Sequence, residues 1–147
     1  LLATALGGEC AKSKQPEIGV LSVQLTEDGA TRIIFDDIPD VFQCLQWHSS
    51  EVTKMPAGAA CLATSPTCSV QAMSWGPRAY SMQFHLEVDP EFVANWTAIP
   101  DHKSLLETAH GENGKSVLQS SCDDQMASFN NMAERVYINW LQATAQV

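Results

Sequence analysis

Over residues 123–143, Met126, Phe129, Ala133, Val136, Tyr137, Trp140 and Leu141 recur at helical spacing, whereas ahead of residue 85 apolar residues come in short runs punctuated by turns. The i, i+3, i+4, i+7 rule makes the first pattern one amphipathic helix whose stripe packs in a core. Short runs rich in Val, Ile and Leu make strands. A chain that changes period once, from about two to about 3.6 residues, has to build a sheet first and lay helices against it afterwards. That is an α/β domain.

The elements can be placed more closely. Residues 1–6 are apolar and end at Gly7-Gly8, which reads as a helix stop. Nothing caps its start, which predicts that the chain is an N-terminally truncated fragment. Residues 18–25 read as a strand that turns at Glu27-Asp28-Gly29 and pairs with 31–35. Runs at 41–48 and 58–64 follow, and 70–75 with 79–84 make a hairpin around Gly76-Pro77 that delivers His85 at its end. Asp89-Pro90-Glu91 has the form of a helix start, with Phe92, Val93 and Trp96 on one face. A further helix is expected over 101–110, stopped by Gly111, with a loop at 112–116.

Composition removes several functions. The net charge is -9, with 8 Lys plus Arg and no basic run, so the chain lacks the means to neutralise nucleic-acid phosphates or an anionic membrane. No run approaches the roughly 18 apolar residues of a membrane span. Five cysteines (Cys10, Cys44, Cys61, Cys68, Cys122) are an odd, scattered set without a C-x-x-C pair, as expected of reduced thiols in a cytoplasmic protein. Histidines at 48, 85, 102 and 110 lack ligand spacing and do not pair with those cysteines, so no metal and no cofactor is expected. Glycine-rich phosphate loops are absent. His102 and His110 are expected to be solvated helix residues.

The residues with chemistry in them are Gln83-Phe84-His85-Leu86-Glu87. In extended chain, residues i and i+2 share a face, so the His85 and Glu87 side chains can meet. A carboxylate on one imidazole nitrogen fixes the ring and raises the basicity of the other, which is two thirds of a nucleophilic triad. Alone, the pair is equally well a polar contact at a strand end.

Its company changes the weighting. Trp47-His48-Ser49-Ser50-Glu51-Val52, Met55-Pro56-Ala57-Gly58-Ala59, and Leu62-Ala63-Thr64-Ser65-Pro66-Thr67-Cys68 with Gln71-Ala72 precede it in order. These resemble the W-H-S-D-x-V, L-P-x-G-A and L-A-x-S-x-x-C-x-x-Q-A stretches of class I glutamine amidotransferases, the triad glutaminases. Gln83 to Glu87 resembles their Q-F-H-P-E signature. Leu1-Leu2-Ala3 with Ala5-Leu6-Gly7-Gly8 is similar to the helix after the nucleophile, and Glu17-Ile18-Gly19 to the E-I-G beyond it. Leu86 stands where that family usually has proline, and Ser50 where it often has aspartate.

The resemblance implies the C-terminal portion of a three-layer, flavodoxin-like α/β fold, with 1–91 carrying the motifs and 92–147 forming a helical C-terminal extension. It implies His85 as catalytic base, Glu87 as its orienting acid, and His48 and Ser49 at a pocket for glutamine. His48 reads equally well as a structural residue at a strand end. The implied nucleophile, in a G-x-C-x-G-x-Q motif, would lie upstream of Leu1, and none of the five cysteines has its setting, so these 147 residues alone are expected to be inactive. Glutamine is the implied substrate and an ammonia-accepting synthase the implied partner. No S-G-G-x-D-S pyrophosphatase loop follows, which favours a stand-alone glutaminase similar to that of GMP synthetase. Two alternatives stay open: a γ-glutamyl peptidase acting on glutathione-like compounds, and a non-catalytic glutaminase-like module.

Overall fold

A computed structural model of the chain describes residues 1–145. A short helix, α1 (Leu2–Ala5), leads into the long strand β1 (Glu9–Leu25). Then come a helical turn α2 (Glu27–Ala30), a 3₁₀ turn (Ile33–Phe35), and strands β2 (Val41–Lys54), β3 (Ala59–Thr64), β4 (Ala72–Trp75) and β5 (Ala79–Met82). Helices α3 (Phe92–Thr97), α4 (Pro100–His110) and α5 (Gly114–Ala145) close the chain. The expected mixed α/β class and the C-terminal helices are both present. Of the extension expected over 92–147, the last two residues lie outside the described part.

The five strands form one sheet in the order β2-β1-β3-β4-β5, with each neighbouring pair antiparallel. The sheet curls until its ends meet. Beyond β5, the His85 N–H donates to the Leu45 carbonyl at 2.8 Å and the Leu45 N–H donates to the His85 carbonyl at 3.1 Å. His85 is therefore fixed by backbone at the seam between the last strand's continuation and β2. A register irregularity in β1 between Lys12 and Glu17 lets the strand bend, as an unpaired stretch in an antiparallel ladder does.

Residues 31–35 do not form the expected strand. Thr26 caps α2, its hydroxyl accepting from the Gly29 N–H at 3.0 Å while donating to the Cys61 carbonyl at 2.7 Å. Glu27 and Asp28 fill the first turn, where carboxylates suit a helix N-terminus. Thr-Glu-Asp-Gly is thus a capped helical turn, and it aims Ile34 and Phe35 into the core beneath α5. Asn139 of α5, itself buried, holds this turn by donating to the Ile34 and Asp36 carbonyls at 3.3 and 2.8 Å.

Gly29 marks where α2 presses on β3. A Cβ there would stand 1.9 Å from the Leu62 carbonyl oxygen, which is backbone and cannot swing aside. Gly29→Ala should therefore destabilise the chain by about 2–3 kcal/mol, within the range for overpacked sites. Urea unfolding checks this, with a loss under about 0.5 kcal/mol contradicting the close packing.

The helical tail also departs from expectation. Helix α5 starts at Gly114, so the loop expected at 112–116 shrinks to the tight turn between α4 and α5. Gly111 ends α4 with φ 74°, a conformation glycine adopts without strain. The apolar stripe is only partly core. Phe129 is fully buried and Met132 nearly so, but Tyr137, Trp140 and Leu141 are 59, 42 and 43% exposed. At 1.5 Å per residue a 32-residue helix runs about 48 Å, and toward its end its buried face drifts to Asn139 and Ala143.

Candidate active site

His85 and Glu87 meet as the i, i+2 spacing requires. The His85 Nδ1 lies 2.6 Å from Glu87 Oε1, which makes Nδ1 the proton-bearing nitrogen toward the carboxylate and leaves Nε2 with its lone pair. The other Glu87 oxygen accepts from the Leu86 N–H at 3.0 Å. Burial works to raise the Glu87 pKa, but the His85 side chain and charge, its own amide and that of Leu86 outweigh it and hold the carboxyl below the ordinary glutamate value. Leucine in place of proline at 86 has not separated the pair.

The imidazole is walled on its other sides by aromatic rings. Trp96 stands edge-on at 5.2 Å between centroids, Phe92 lies tilted at 5.7 Å, and these two stack on each other at 4.6 Å. Both come from α3. The turn before it is fixed by the Asp89 carboxylate, which accepts from the Glu91 N–H at 2.8 Å. The expected apolar face of Phe92, Val93 and Trp96 is real, and two thirds of it serve to hold a histidine. The far side of Trp96 packs on Trp47 and on His102, at 5.3 and 5.0 Å. His102 is thus a packed residue with a buried Nδ1, not a solvated one. His110 also turns inward at its tip, its Nε2 donating to the Ile18 carbonyl at 2.6 Å.

His85 lies on the wall between two cavities. One, about 360 Å³, is lined by Leu2, Cys10, Trp47, His48, Glu51 and Gln83 among others. The other, about 430 Å³, is apolar and runs past Glu87, Met82 and Phe84 to the exposed Tyr137 and Trp140 of α5. The two residues that the resemblance implies at the glutamine pocket part company. His48 lines the first cavity, whose lining passes from His48 to Ser50 and leaves out Ser49. Ser49 sits half-buried opposite the irregular stretch of β1.

Behind His48 lies a polar cluster that the sequence did not reveal. Glu17 is buried, 4% exposed, and accepts from the Ser65 hydroxyl at 2.7 Å and from Gln71 Nε2 at 2.6 Å. His48 Nε2 is 3.3 Å from its Oε2. Burial favours a neutral Glu17, but the His48 ring beside it and the Ser65 and Thr67 side chains hold its pKa below the ordinary value. A glutamate opening an apolar strand was the available signal, because such residues are seldom buried without partners.

Burial pushes the Cys44, Cys61 and Cys68 thiols up, and Cys122 up to about 11. Of the five, Cys10 is exposed and lines the first cavity.

A histidine braced by a carboxylate and by aromatic rings thus stands at the seam of a curled sheet on an α/β scaffold, with cavities on either side. The sequence model of the family "Glutamine amidotransferase class-I" matches residues 1–93, and the chain belongs to that family. It is similar to glutamine-hydrolysing GMP synthases. It is 35% identical over 88 residues to that of Neisseria meningitidis serogroup C, covering 59% of this chain and 17% of that one. With that of Geobacillus kaustophilus it shares 39% over 96 residues, covering 65% and 18%. With one subunit of the Methanocaldococcus jannaschii enzyme it shares 29% over 123 residues, covering 83% and 53%. Among solved structures, a glutamine amidotransferase of Thermotoga maritima superposes with a TM-score of 0.80 at 23% identity, covering 99% of this chain and 58% of that one. One from Methylobacillus flagellatus gives 0.74 at 24%, covering 97% and 58%. The chain thus spans under a fifth of the GMP synthases it matches first, and little more than half of the shorter relatives. No helix among the described residues is long and apolar enough to cross a membrane.

Proposed function

We propose that residues 1–147 are the C-terminal part of a single glutaminase domain, in which His85 and Glu87 serve a cysteine nucleophile supplied by sequence outside them. The 2.6 Å contact between His85 Nδ1 and Glu87 carries this reading. With Nδ1 committed to the carboxylate, Nε2 takes the thiol proton, and the thiolate attacks the side-chain amide carbon of glutamine. His85 then returns that proton to the departing ammonia, and afterwards takes a proton from the water that cleaves the γ-glutamyl thioester. Glu87 stabilises the imidazolium formed in each half. The 360 Å³ cavity, with Trp47 and His48 on its wall, receives the γ-glutamyl group. The similarity to the Methanocaldococcus jannaschii GMP synthase subunit supports a synthase that accepts the ammonia, in a soluble cytoplasmic setting.

The thiol is assigned elsewhere because the chain's own thiols are poor nucleophiles. Burial holds four of them protonated, and Cys10 sits on a strand, without the helix N-terminus that activates a thiol. The 147-residue chain is therefore expected to release no ammonia from glutamine, nor to cleave a γ-glutamyl peptide. Ammonia release that disappears in Cys10→Ser would make Cys10 the nucleophile and overturn this assignment. Once the thiol is supplied, comparing glutamine with a γ-glutamyl peptide separates amidotransferase from peptidase.

A further inference from the structure

Glu17, His48 and Cys68 bring a carboxylate oxygen, an imidazole nitrogen and a sulfur within 4.8 Å of one another. Histidine and cysteine positions that looked unrelated along the chain are joined here by the β1–β2 register and by the connection between β3 and β4. We propose that these three side chains bind a zinc-class divalent cation, which ties β1, β2 and that connection together.

Two of the three ligand atoms already stand at the spacing a cation requires. His48 Nδ1 donates to the Ser50 carbonyl at 3.1 Å, which fixes the tautomer and leaves Nε2 as the lone-pair nitrogen, the usual outer partner of a metal-bound histidine. That Nε2 is buried without a hydrogen-bond partner and stands 3.3 Å from Glu17 Oε2. Two acceptors so placed repel unless a proton or a cation lies between them. The separation also equals the edge, about 3.3 Å, of a tetrahedron whose metal–ligand bonds are about 2.0–2.1 Å.

An outer shell is already in place. Ser65 and Gln71 donate to the two Glu17 oxygens, and Gln83 Nε2 donates to the Cys68 sulfur at 3.1 Å. One sulfur, one imidazole and one carboxylate suit zinc, where magnesium and calcium take oxygen. Glu17 also lines a cavity of about 620 Å³ with Pro16, Pro66 and Thr67, which is the side from which a cation would reach it. On binding, the Cys68 S–H bond breaks as the sulfur–metal bond forms, and the proton passes to solvent. Carboxylate and thiolate then balance the dication, with no redox change.

The test uses the whole chain after chelator treatment. Calorimetric titration with zinc should show one saturable site, and cobalt should give a thiolate-to-metal charge-transfer band at one equivalent. That band should persist in Cys10→Ser and Cys61→Ser and vanish in Cys68→Ser. Gln71→Ala, which removes an outer donor, should weaken zinc binding by about 10–100-fold. Should Cys68→Ser not fold, X-ray absorption of the zinc-loaded wild type decides, with one sulfur at about 2.3 Å and nitrogen or oxygen at about 2.0–2.2 Å expected. No saturable zinc binding, a cobalt band that survives in folded Cys68→Ser, or a metal shell without sulfur would each overturn the proposal and leave a proton between Glu17 and His48.

Discussion

His85→Ala is expected to lower kcat for glutamine hydrolysis by about 10⁴–10⁶-fold in the protein that carries its nucleophilic thiol, because a nucleophile and its base act as one unit. KM should move little, since the ring contributes to proton transfer more than to holding the γ-glutamyl group. The fold should survive, because what ties this residue to β2 is its backbone, the pair of hydrogen bonds with Leu45, and alanine retains both. Glu87→Gln should cost less, about 10²–10³-fold. The carboxylate side chain is 67% exposed, so solvent screens part of its effect on the imidazolium, and the backbone bridge and ring wall still orient His85 without it. Steady-state kinetics with ammonia detection and circular dichroism on each variant check both. Activity of His85→Ala within tenfold of the parent, in a folded protein, would remove His85 from the mechanism.

How much of this could be read in the residues depends on how local each feature is. The His85–Glu87 contact needs only an extended chain, whose alternation places i and i+2 together whatever the rest of the fold does. Strand positions at 41–48, 58–64 and 79–84 were legible for the same reason. The 31–35 segment misled because Ile33, Ile34 and Phe35 are good strand residues, while the capping that decides the matter sits upstream at Thr26. The α5 stripe has perfect helical period, yet period alone cannot say where the partner surface ends, so Tyr137 and Trp140 emerge into solvent. The aromatic wall was half legible: Phe92 and Trp96 shared a face, but not with a named target. Least visible was the Glu17 cluster. Its members at 17, 48, 65, 68 and 71 come together through strand register and loop geometry, which no spacing rule encodes.

That cluster yields the largest expected loss of stability. Glu17→Leu removes the one acceptor shared by Ser65 and Gln71 and leaves His48 Nε2 facing an apolar group, all behind the β1 irregularity. Stranding a buried network in this way should cost about 3–5 kcal/mol. Glu17→Gln keeps an amide oxygen for one donor and should cost about 1–3 kcal/mol. Both comparisons belong in chelator-containing buffer, so that no cation contributes. The pH dependence has a definite sign. Because the Glu17 pKa is depressed in the fold, its ionised form contributes stability that is fully present above the ordinary value of 4.5 and is lost as pH falls through the lower native value. Glu87 behaves likewise but is common to both proteins and cancels in the comparison. The stability gap between wild type and Glu17→Gln should therefore be widest near neutral pH and narrow steadily below pH 4.5, where a protonated glutamate comes to resemble glutamine. Urea unfolding at several pH values measures that gap, and a difference independent of pH would mean that Glu17 is held in the fold by its shape and not by its charge.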